Sequence, residues 1–482
     1  MKIERTTTGV IIHGASTELK RKVLQYFSLK QPVREYFIYS GNDRTKKPLF
    51  GKEHDVIYIS SGFLKIDDPV IQKLPKPTTI NYPTPKKVTV EMNREPRSPL
   101  QEDCIKKMLT SDSPKITLEL KPGVGKTFIA TYATSKLGLK PLVVAPTTLL
   151  KNQWVEEFVG CGIPREDIAT KIWDAPNKKM CVVTISAIEL ELGKDWESLM
   201  KVINESSFGI KIVDEAHLHL KGMLRLDAIC NIKHNWYLSA TLGRSDIQED
   251  DILNRALLDA DRFIGNSEYE EYQKEFVNIY MQDIYYNPTN KLCQETFKYG
   301  TKGLIKATYY RMLMKYRNGV PFLNNIKRLI KTAYNIKTYD GKILVLVPLL
   351  DVIERLKNDL MNDPWFDKFN IVTVDGSLPL AVKRQALEDG TLILTTTMSV
   401  GTGTDIKNLA CTINFDQAAS PIILEQVIGR LRDRGKECWF FDITDHVRQA
   451  RSFENWGRQR RMLLPYFPGV RSEMKRLPDI RC

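Results

Sequence analysis

The chain has 482 residues, of which 42% are hydrophobic and 27% charged, and its 71 Lys and Arg outnumber its 58 Asp and Glu. This composition is typical of a soluble globular protein of roughly two or three domains. There is no apolar run near the ~18 residues of a membrane span, no apolar secretory signal at the amino terminus and no Cys-x-x-Cys pair. We therefore expect a cytoplasmic protein (in the host-cell cytoplasm if viral) with no membrane partner, and the formal net charge of +13 indicates a polyanionic partner such as nucleic acid.

The first 75 residues predict a small β-α-β-β unit. Residues 8–13 are strand-like, a helix is expected over 17–28, and strands are expected over 35–40 and 56–66. A cluster of prolines then predicts a semi-rigid, extended linker over 76–99.

From about residue 100 onward, apolar strand-like segments alternate with helical ones. This alternation is typical of a mostly parallel sheet covered on both faces. We predict one such domain over 100–265, a second over 266–446, and a basic helix and tail over 447–482. The predicted strands are 116–120, 142–145, 181–185, 210–214 and 236–239 in the first domain, and 342–347, 371–374, 392–395, 412–415 and 438–442 in the second.

The segment 120–127, Leu-Lys-Pro-Gly-Val-Gly-Lys-Thr, is typical of a phosphate-binding loop. Gly123 and Gly125 let the backbone N–H groups face a triphosphate, Lys126 can reach the β- and γ-phosphates, and Thr127 offers a hydroxyl to Mg²⁺. The predicted nucleotide-binding residues of this loop are Pro122, Gly123, Val124, Gly125, Lys126, Thr127 and Phe128.

A second motif, Val-Asp-Glu-Ala-His at 213–217, follows the apolar strand 210–214. Asp214 can hold Mg²⁺, and Glu215 can orient and deprotonate the attacking water. Together with the phosphate-binding loop, this pair predicts an ATPase that uses ATP and Mg²⁺.

In the second domain, Gln426-Val-Ile-Gly-Arg430 opens a predicted helix that ends in Arg432-Asp433-Arg434. These residues could form an ordinary solvated basic face. Alternatively, Arg430 supplies positive charge to the ATP site as the γ-phosphate leaves.

These motifs resemble superfamily 2 helicases and translocases over residues 96–445. The resemblance implies two RecA-like parallel-sheet P-loop domains in tandem, an α/β fold preceded by the small α+β domain. It also implies an adenine-reading role for Arg97 and Gln101. The implied nucleic-acid contacts are Pro146, Thr147 and Thr148, followed by Thr184 and Ser186, and then by Gly376, Thr396 and Thr397.

Other roles are implied by the same resemblance. His217, Ser239 and Thr241 would couple ATP to nucleic acid, and Gly403 and Asp405 would sense ATP. The family pattern Gln-x-x-Gly-Arg-x-x-Arg assigns Gln426 and Arg430 to catalysis. Its last position is Asp433 here, so either Arg432 or Arg434 could complete the arginine pair, and Leu120 replaces the usual first glycine of the loop.

Within the superfamily, the basic front unit and short core look most like the phage UvsW-type helicases, which remodel branched DNA. That likeness implies duplex contacts by a basic turn containing Arg44, Lys46 and Lys47, and a monomer that prefers branched or forked DNA. The chain could instead act on RNA, as a helicase or a transcript-release ATPase, and a non-catalytic scaffold is a third alternative. The basic, aromatic segment around Trp456 could grip nucleic acid or pack on the second domain.

Overall fold

The computed structural model describes sixteen segments of the chain, which divides into two compact units, Met1–Tyr269 and Glu270–Cys482. The described residues are 2–14, 56–62, 78–121, 123–240, 242, 247–266, 268–269, 275–297, 299–300, 303–400, 406–416, 424, 427–431, 436–448, 451–464 and 470–482. Among them, no helix has the length and apolar character needed to cross a bilayer.

The first unit contains both helices and strands throughout its described length. Its strands are β1 (Lys2–Arg5), β2 (Gly9–His13), β3 (Val56–Ser60), β4 (Thr78–Thr79), β5 (Lys115–Glu119), β6 (Pro141–Ala145), β7 (Ile168–Ala169), β8 (Met180–Thr184), β9 (Ile210–Val213), β10 (His234–Ser239) and β11 (Asp261–Ile264). Its helices are α1 (Pro99–Thr110), α2 (Lys126–Leu137), α3 (Thr148–Gly160), α4 (Ile185–Lys194), α5 (Trp196–Glu205), α6 (Leu220–Ile229) and α7 (Ile247–Ala256).

The second unit has the same mixed composition. Its strands are β12 (Glu275–Tyr286), β13 (Tyr299–Gly300), β14 (Gly303–Leu304), β15 (Lys342–Leu346), β16 (Ile371–Val374), β17 (Leu392–Thr395), β18 (Leu409–Asn414), β19 (Cys438–Val447), β20 (Val470–Arg476) and β21 (Ile480–Arg481). Its helices are α8 (Lys291–Gln294), α9 (Lys306–Lys315), α10 (Val320–Ile336), α11 (Leu350–Met361), α12 (Leu380–Asp389), α13 (Thr397–Val400) and α14 (Ser452–Leu463).

Each unit is built around a parallel sheet. Seven described strands of the first unit lie in the order β11-β5-β10-β9-β6-β8-β7, and all their pairs are parallel. Those of the second unit lie in the order β16-β17-β15-β18-β19-β12-β20, with β21 also beside β12. Strands such as β6 and β18 are buried along their whole length, which explains their continuous apolar sequences. The predicted α/β class with two RecA-like sheets is therefore confirmed.

The amino-terminal strands form a separate small sheet in the order β3-β2-β1-β4. Strand β2 is antiparallel to both β1 and β3, whereas β4 is parallel to β1. The predicted strands at 8–13 and 56–66 correspond to β2 and to β3, which ends at Ser60. The helix predicted over 17–28 and the strand predicted over 35–40 lie outside the described residues.

This small sheet shares a hydrophobic core with the rest of the first unit. Val10, Ile12 and Ile59 belong to one buried cluster with Tyr237 and Leu253. Gly62 is also closely packed, since a Cβ there would lie 2.7 Å from the carbonyl oxygen of Ala256. The sheet is therefore a layer of the first unit, whereas the sequence suggested a separate domain over residues 1–75.

The segment predicted as an extended linker also lies against the first unit. Its described part, from Thr78 onward, contains little regular structure apart from β4 and an isolated bridge between Lys87 and Leu139. Val88 and Val90 are both 6% exposed. These contacts fix an extended path without a helix, as expected for a proline-rich segment.

The predicted basic tail is part of the second sheet. Strands β20 and β21 pair in parallel with β12, and the sequence-based boundary at residue 447 coincides with the last residue of β19. Helix α14 packs on this sheet, where Arg460 is completely buried and its Nε donates to Oδ1 of Asp442 at 2.7 Å. Trp456 and Arg460 therefore pack on the second unit, whereas Arg451 and Arg458 of the same segment are exposed, and contact of this segment with nucleic acid remains a prediction.

Candidate nucleotide and nucleic-acid site

Most of the site residues predicted in the first unit lie at one edge of its sheet. The phosphate-binding loop follows β5, Asp214 follows β9, Ser239 ends β10, Pro146 follows β6, and Thr184 ends β8. Because all these strands are parallel, their carboxyl ends meet at the same edge, where α/β proteins bind ligands. Segments that are more than a hundred residues apart in sequence are thereby brought together.

The phosphate-binding loop has the backbone conformation that its glycines predict. Gly123 has φ of 83° and Gly125 has φ of 95°, in the left-handed region that residues with a Cβ rarely adopt. Gly125 is also the N-cap of α2, so the loop delivers its N–H groups to the start of a helix. Nζ of Lys126 donates to the carbonyl oxygen of Leu120 at 2.9 Å.

The start of α1 and the residues just before it are bonded directly to this loop. Nε2 of Gln101 donates to the carbonyl oxygen of Val124 at 2.6 Å, and the guanidinium of Arg97 donates to the carbonyl oxygen of Gly123. The backbone N–H of Arg97 in turn donates to Oε1 of Gln101 at 3.0 Å. A Cβ at Gly125 would lie 2.7 Å from Nε2 of Gln101, so the two segments pack closely. The structure therefore places Arg97 and Gln101 beside the phosphate-binding loop.

Asp214 is held by two donors. Nε1 of Trp154 donates to its Oδ2 at 2.9 Å, and the backbone N–H of Glu215 donates to its Oδ1 at 3.0 Å. Burial, reinforced by the negative charge of Glu215, raises the pKa of Asp214 to about 6, although the bond from Trp154 and the charge of Lys126 act in the opposite direction.

Glu215 has an unusual backbone and an unsatisfied carboxylate oxygen. Its φ of 47° lies in the left-handed region, which costs a non-glycine residue on the order of 1 kcal/mol. Its buried Oε2 accepts no hydrogen bond from the described residues and lies 3.5 Å from Nδ1 of His217. Such strain and such an unpaired polar atom are typical of functional sites.

These residues fit a complex of Mg²⁺ with a nucleotide. Asp214 is a buried carboxylate next to the partly buried Glu215, and a divalent cation would stabilise the ionised form of Asp214. Thr127, at the second position of α2, carries the hydroxyl that such loops offer to Mg²⁺. Asp214 and Thr127 would hold the metal ion, which would stabilise the negative charge on the phosphate oxygens.

His217 and Ser239 connect two strands of this edge. Nδ1 of His217 and Oγ of Ser239 lie 2.7 Å apart, and both side chains are buried. Asp214 and Glu215 directly follow β9, and β10 ends at Ser239, so the contact joins these two segments. Their coupling role remains a prediction.

Candidate nucleic-acid contacts of the first unit lie at two helix starts. Thr147 caps α3 by accepting a bond from the N–H of Leu150 at 3.3 Å, and Thr184 caps α4 by accepting from Ala187 at 3.3 Å. Thr148, directly after Thr147, and Ser186, two positions after Thr184, are exposed. A recess between the two helix starts is lined by Pro146, Ile185, Asp214, Glu215 and His219.

In the second unit, the described candidate residues also follow strands of the sheet. Gly376 is exposed two residues after β16, and Thr396 and Thr397 follow β17. Oγ1 of Thr396 lies 2.7 Å from Oγ of Ser399, whereas Oγ1 of buried Thr397 has no hydrogen-bond partner among the described residues. Arg430 is only 9% exposed and follows Val427 and Ile428, which pack in the core.

Several predicted site residues lie outside the described part of the chain. They are Arg44, Lys46, Lys47, Pro122, Thr241, Gly403, Asp405, Gln426, Arg432 and Arg434.

Trp154 is the functional residue whose contact the sequence did not reveal. Its bond to Asp214 joins residues 60 positions apart in the chain. A tryptophan in an otherwise ordinary amphipathic helix gives no sign of which carboxylate it will contact.

Two protein families match the chain. Residues 95–244 match the family described as "Type III restriction enzyme, res subunit", and residues 323–434 match "Helicase conserved C-terminal domain". The first match lies within the first compact unit and the second within the second unit. The chain belongs to the superfamily 2 helicases.

Among curated proteins, the chain is similar to DNA helicases over part of its length. The DNA 3'-5' helicase XPB of Mycobacterium tuberculosis is 27% identical over 135 residues, which cover 27% of this chain and 24% of that protein. A Rad25-type DNA 3'-5' helicase of Halobacterium salinarum is 29% identical over 155 residues, covering 32% of this chain and 25% of that protein. The similarity thus spans about a quarter of the length of these relatives.

The fold is similar to that of a solved structure. S. cerevisiae Dbp5 bound to RNA and ADP BeF3 has a TM-score of 0.52 and 15% identity, and covers 79% of this chain and 90% of its own. The crystal structure of T4 UvsW covers 99% of this chain and 100% of its own at 16% identity, with a TM-score of 0.34.

Proposed function

We propose that this protein is an ATP-dependent DNA helicase or translocase that remodels branched DNA. The reactions would include fork reversal, branch migration of four-way junctions, and unwinding of D-loops and R-loops. The observation that carries the ATPase part is the arrangement of the phosphate-binding loop, Asp214 and Glu215 at one sheet edge. Action on DNA is supported by the similarity to curated DNA helicases and by the net charge of +13.

Each residue of the ATP site has a chemical role in this proposal. Lys126 and the N–H groups at the start of α2 hold the phosphates, and Asp214 and Thr127 hold Mg²⁺. Glu215 orients a water molecule for attack on the γ-phosphate and accepts its proton. Arg430 supplies positive charge as the γ-phosphate leaves.

Nucleic acid would contact residues at the same sheet edges. In the first unit these contacts would be Thr148 and Ser186, whose helix starts favour phosphate groups through their free N–H donors. In the second unit they would be Gly376, Thr396 and Thr397. Contacts of this kind read the backbone, so binding should be insensitive to base sequence and should weaken with salt.

The preference for branched DNA is the most specific part of the proposed function. It rests on the resemblance to the phage UvsW-type helicases and on the basic residues Arg44, Lys46 and Lys47 of the front region. We further propose that the protein acts as a monomer in the cytoplasm, or in the host-cell cytoplasm if it is viral.

One assay series tests the proposal as a whole. ATP hydrolysis is measured with forked DNA, single-stranded DNA, duplex DNA and RNA side by side, and conversion of a synthetic four-way junction is followed with and without ATP. We expect forked DNA to stimulate hydrolysis most and the junction to be converted only with ATP. Stimulation by RNA alone would instead favour the transcript-directed alternative.

The control variants separate catalysis from binding. Lys126→Ala should abolish hydrolysis and leave DNA binding largely intact, whereas Lys136→Ala, at the exposed far end of the same helix, should behave as the wild type. Substantial turnover by Lys126→Ala would rule out the proposed ATP site.

A further inference from the structure

The side chain of Trp154 joins the predicted nucleic-acid contacts to the ATP site. It is completely buried on α3, and its Nε1 donates to Oδ2 of Asp214 at 2.9 Å. The same helix begins at Thr148, which is exposed, and is capped by Thr147. One helix therefore has a candidate phosphate contact at its start and a candidate metal ligand bonded about two turns later.

The hydrogen bonds at Asp214 leave room for a metal ion. The backbone N–H of Glu215 occupies one lone pair of Oδ1, and the indole of Trp154 occupies one lone pair of Oδ2. Each carboxylate oxygen has a second lone pair. The two donors thus fix the plane of the carboxylate without using all of its acceptor sites, as the outer partners of metal ligands commonly do.

A second buried tryptophan, on a strand of the same unit, shows that this bond is not a general requirement of packing. Trp236 on β10 is also completely buried, yet its Nε1 has no hydrogen-bond partner among the described residues. This unit therefore tolerates an indole in its core without an acceptor. The bond from Trp154 is specific to the carboxylate that would hold Mg²⁺.

We propose that Trp154 is a positioning residue that couples nucleic-acid binding at the start of α3 to the orientation of Asp214. Contact of a phosphate with the start of α3 shifts the helix, which is a rigid rod over this distance, and Trp154 transmits the shift to the carboxylate. Asp214 then presents its free lone pairs to the metal ion. This inference rests on the proposed function, because it assumes that Thr148 meets nucleic acid.

The first test compares Trp154→Phe with Trp236→Phe. Both variants remove an indole N–H from a buried site and keep an aromatic ring, but only the first removes a hydrogen bond. We expect Trp154→Phe to need a Mg²⁺ concentration about 10-fold to 100-fold higher for half-maximal ATP hydrolysis, in line with the loss of other outer partners of metal ligands. Its stimulation by single-stranded DNA should fall nearly to none, and Trp236→Phe should keep both properties.

A second test does not depend on catalysis. The indole N–H signals of the seven tryptophans are recorded by ¹⁵N nuclear magnetic resonance in the wild-type chain, and Trp154→Phe identifies the signal of Trp154. Addition of a single-stranded DNA oligonucleotide without nucleotide should shift this signal, while the signal of Trp236 stays in place. Thr148→Glu, which puts a negative charge where the phosphate would bind, should abolish the shift.

The outcomes separate this inference from the proposed function. If DNA stimulates the wild type but Trp154→Phe and Trp236→Phe have the same Mg²⁺ requirement and stimulation, the coupling through Trp154 is wrong and the helicase assignment stands. An unmoved Trp154 signal at DNA saturation, verified by fluorescence anisotropy, would also overturn the coupling. If DNA neither binds to nor stimulates the wild type, the proposed function itself fails.

Discussion

Nζ of Lys115, at the start of β5, donates to Oγ of Ser60 in β3 at 3.1 Å. Lys115 is completely buried, and its ammonium also contacts Oδ1 of Asp259 at 3.0 Å and the carbonyl oxygen of Ala256 at 3.0 Å. Strand β5 leads into the phosphate-binding loop, so a charged side chain ties the small amino-terminal sheet to the strand that carries the ATP site.

Removing the counter-ion of Lys115 should destabilise the first unit more than removing Lys115 itself. Asp259→Ala leaves a buried ammonium without a carboxylate, which should cost about 3 kcal/mol of unfolding free energy. Lys115→Met removes the buried charge, and Asp259, whose side chain is 13% exposed, can then be hydrated. Urea unfolding of the two variants measures the difference. A larger loss in Lys115→Met would contradict this account.

The buried pair of Arg460 and Asp442 should be a main support of helix α14. Arg460→Met would remove the bond from Nε to Oδ1. Among the described residues, Asp442 would keep only the longer contact from Nε of Arg461, at 3.2 Å. We expect a loss of about 3 kcal/mol of unfolding free energy, because an incompletely paired carboxylate stays buried. The exposed Arg458 on the same helix is the matched control, and Arg458→Ala should change the unfolding free energy by less than about 0.5 kcal/mol. Equal effects of the two substitutions would show that α14 is held mainly by apolar contacts.

The stability of the second unit should fall as the pH rises above neutrality, in part because of His446. Burial lowers its pKa, but bonds to Asp283 at 2.9 Å and Glu454 at 3.3 Å outweigh burial and raise it above 6.5. A histidine whose pKa is raised by folding stabilises the folded state below its unfolded pKa. That stabilisation is lost as pH rises through the folded pKa.

His446→Gln isolates this contribution. The variant should be less stable than the wild type near pH 6 and should lose less unfolding free energy between pH 6 and pH 9. Asp283, whose pKa falls to about 2 because His446 and Arg461 outweigh its burial, stays ionised throughout that range and does not affect the comparison. Parallel pH profiles of wild type and variant would exclude the bridging role of His446.

Arg430 should be essential for turnover and dispensable for nucleotide binding. If it acts on the departing γ-phosphate, Arg430→Ala should reduce the rate at saturating ATP about a thousandfold or more, with nearly unchanged affinity for ADP. Because Arg430 is mostly buried, circular dichroism must show that the variant folds. Arg432→Ala and Arg434→Ala, measured singly, identify the second arginine, and wild-type rates in both would mean that neither one acts.

Strand positions and the ATP motifs could be predicted well from the sequence. Strands β16 and β17 have the predicted bounds, since each is a short run of β-branched and apolar residues next to polar or glycine-containing segments. The glycines predicted to let the phosphate-binding loop bend have positive φ angles, a conformation that residues with a Cβ rarely adopt.

Contacts of buried polar residues could not be predicted in the same way. Arg460 belongs to a strongly basic segment and looks like a surface residue in the sequence, but its charge is satisfied by Asp442 on a strand that precedes the helix. Lys115 similarly begins a strand whose next three residues, Ile116, Thr117 and Leu118, are apolar or neutral. A charged side chain is buried only where a partner is supplied by another element, and the sequence does not name that partner.

By itself, the amino-acid sequence determined the two α/β units, the phosphate-binding loop and the Asp214–Glu215 pair, because these depend on local periodicity and on short motifs. Only the tertiary structure decided that the amino-terminal sheet is a layer of the first unit, that the carboxyl-terminal strands extend the second sheet, and that Trp154 binds Asp214. These features are pairings between distant segments, and their free energy comes from burying charges and donors against partners that local sequence does not specify.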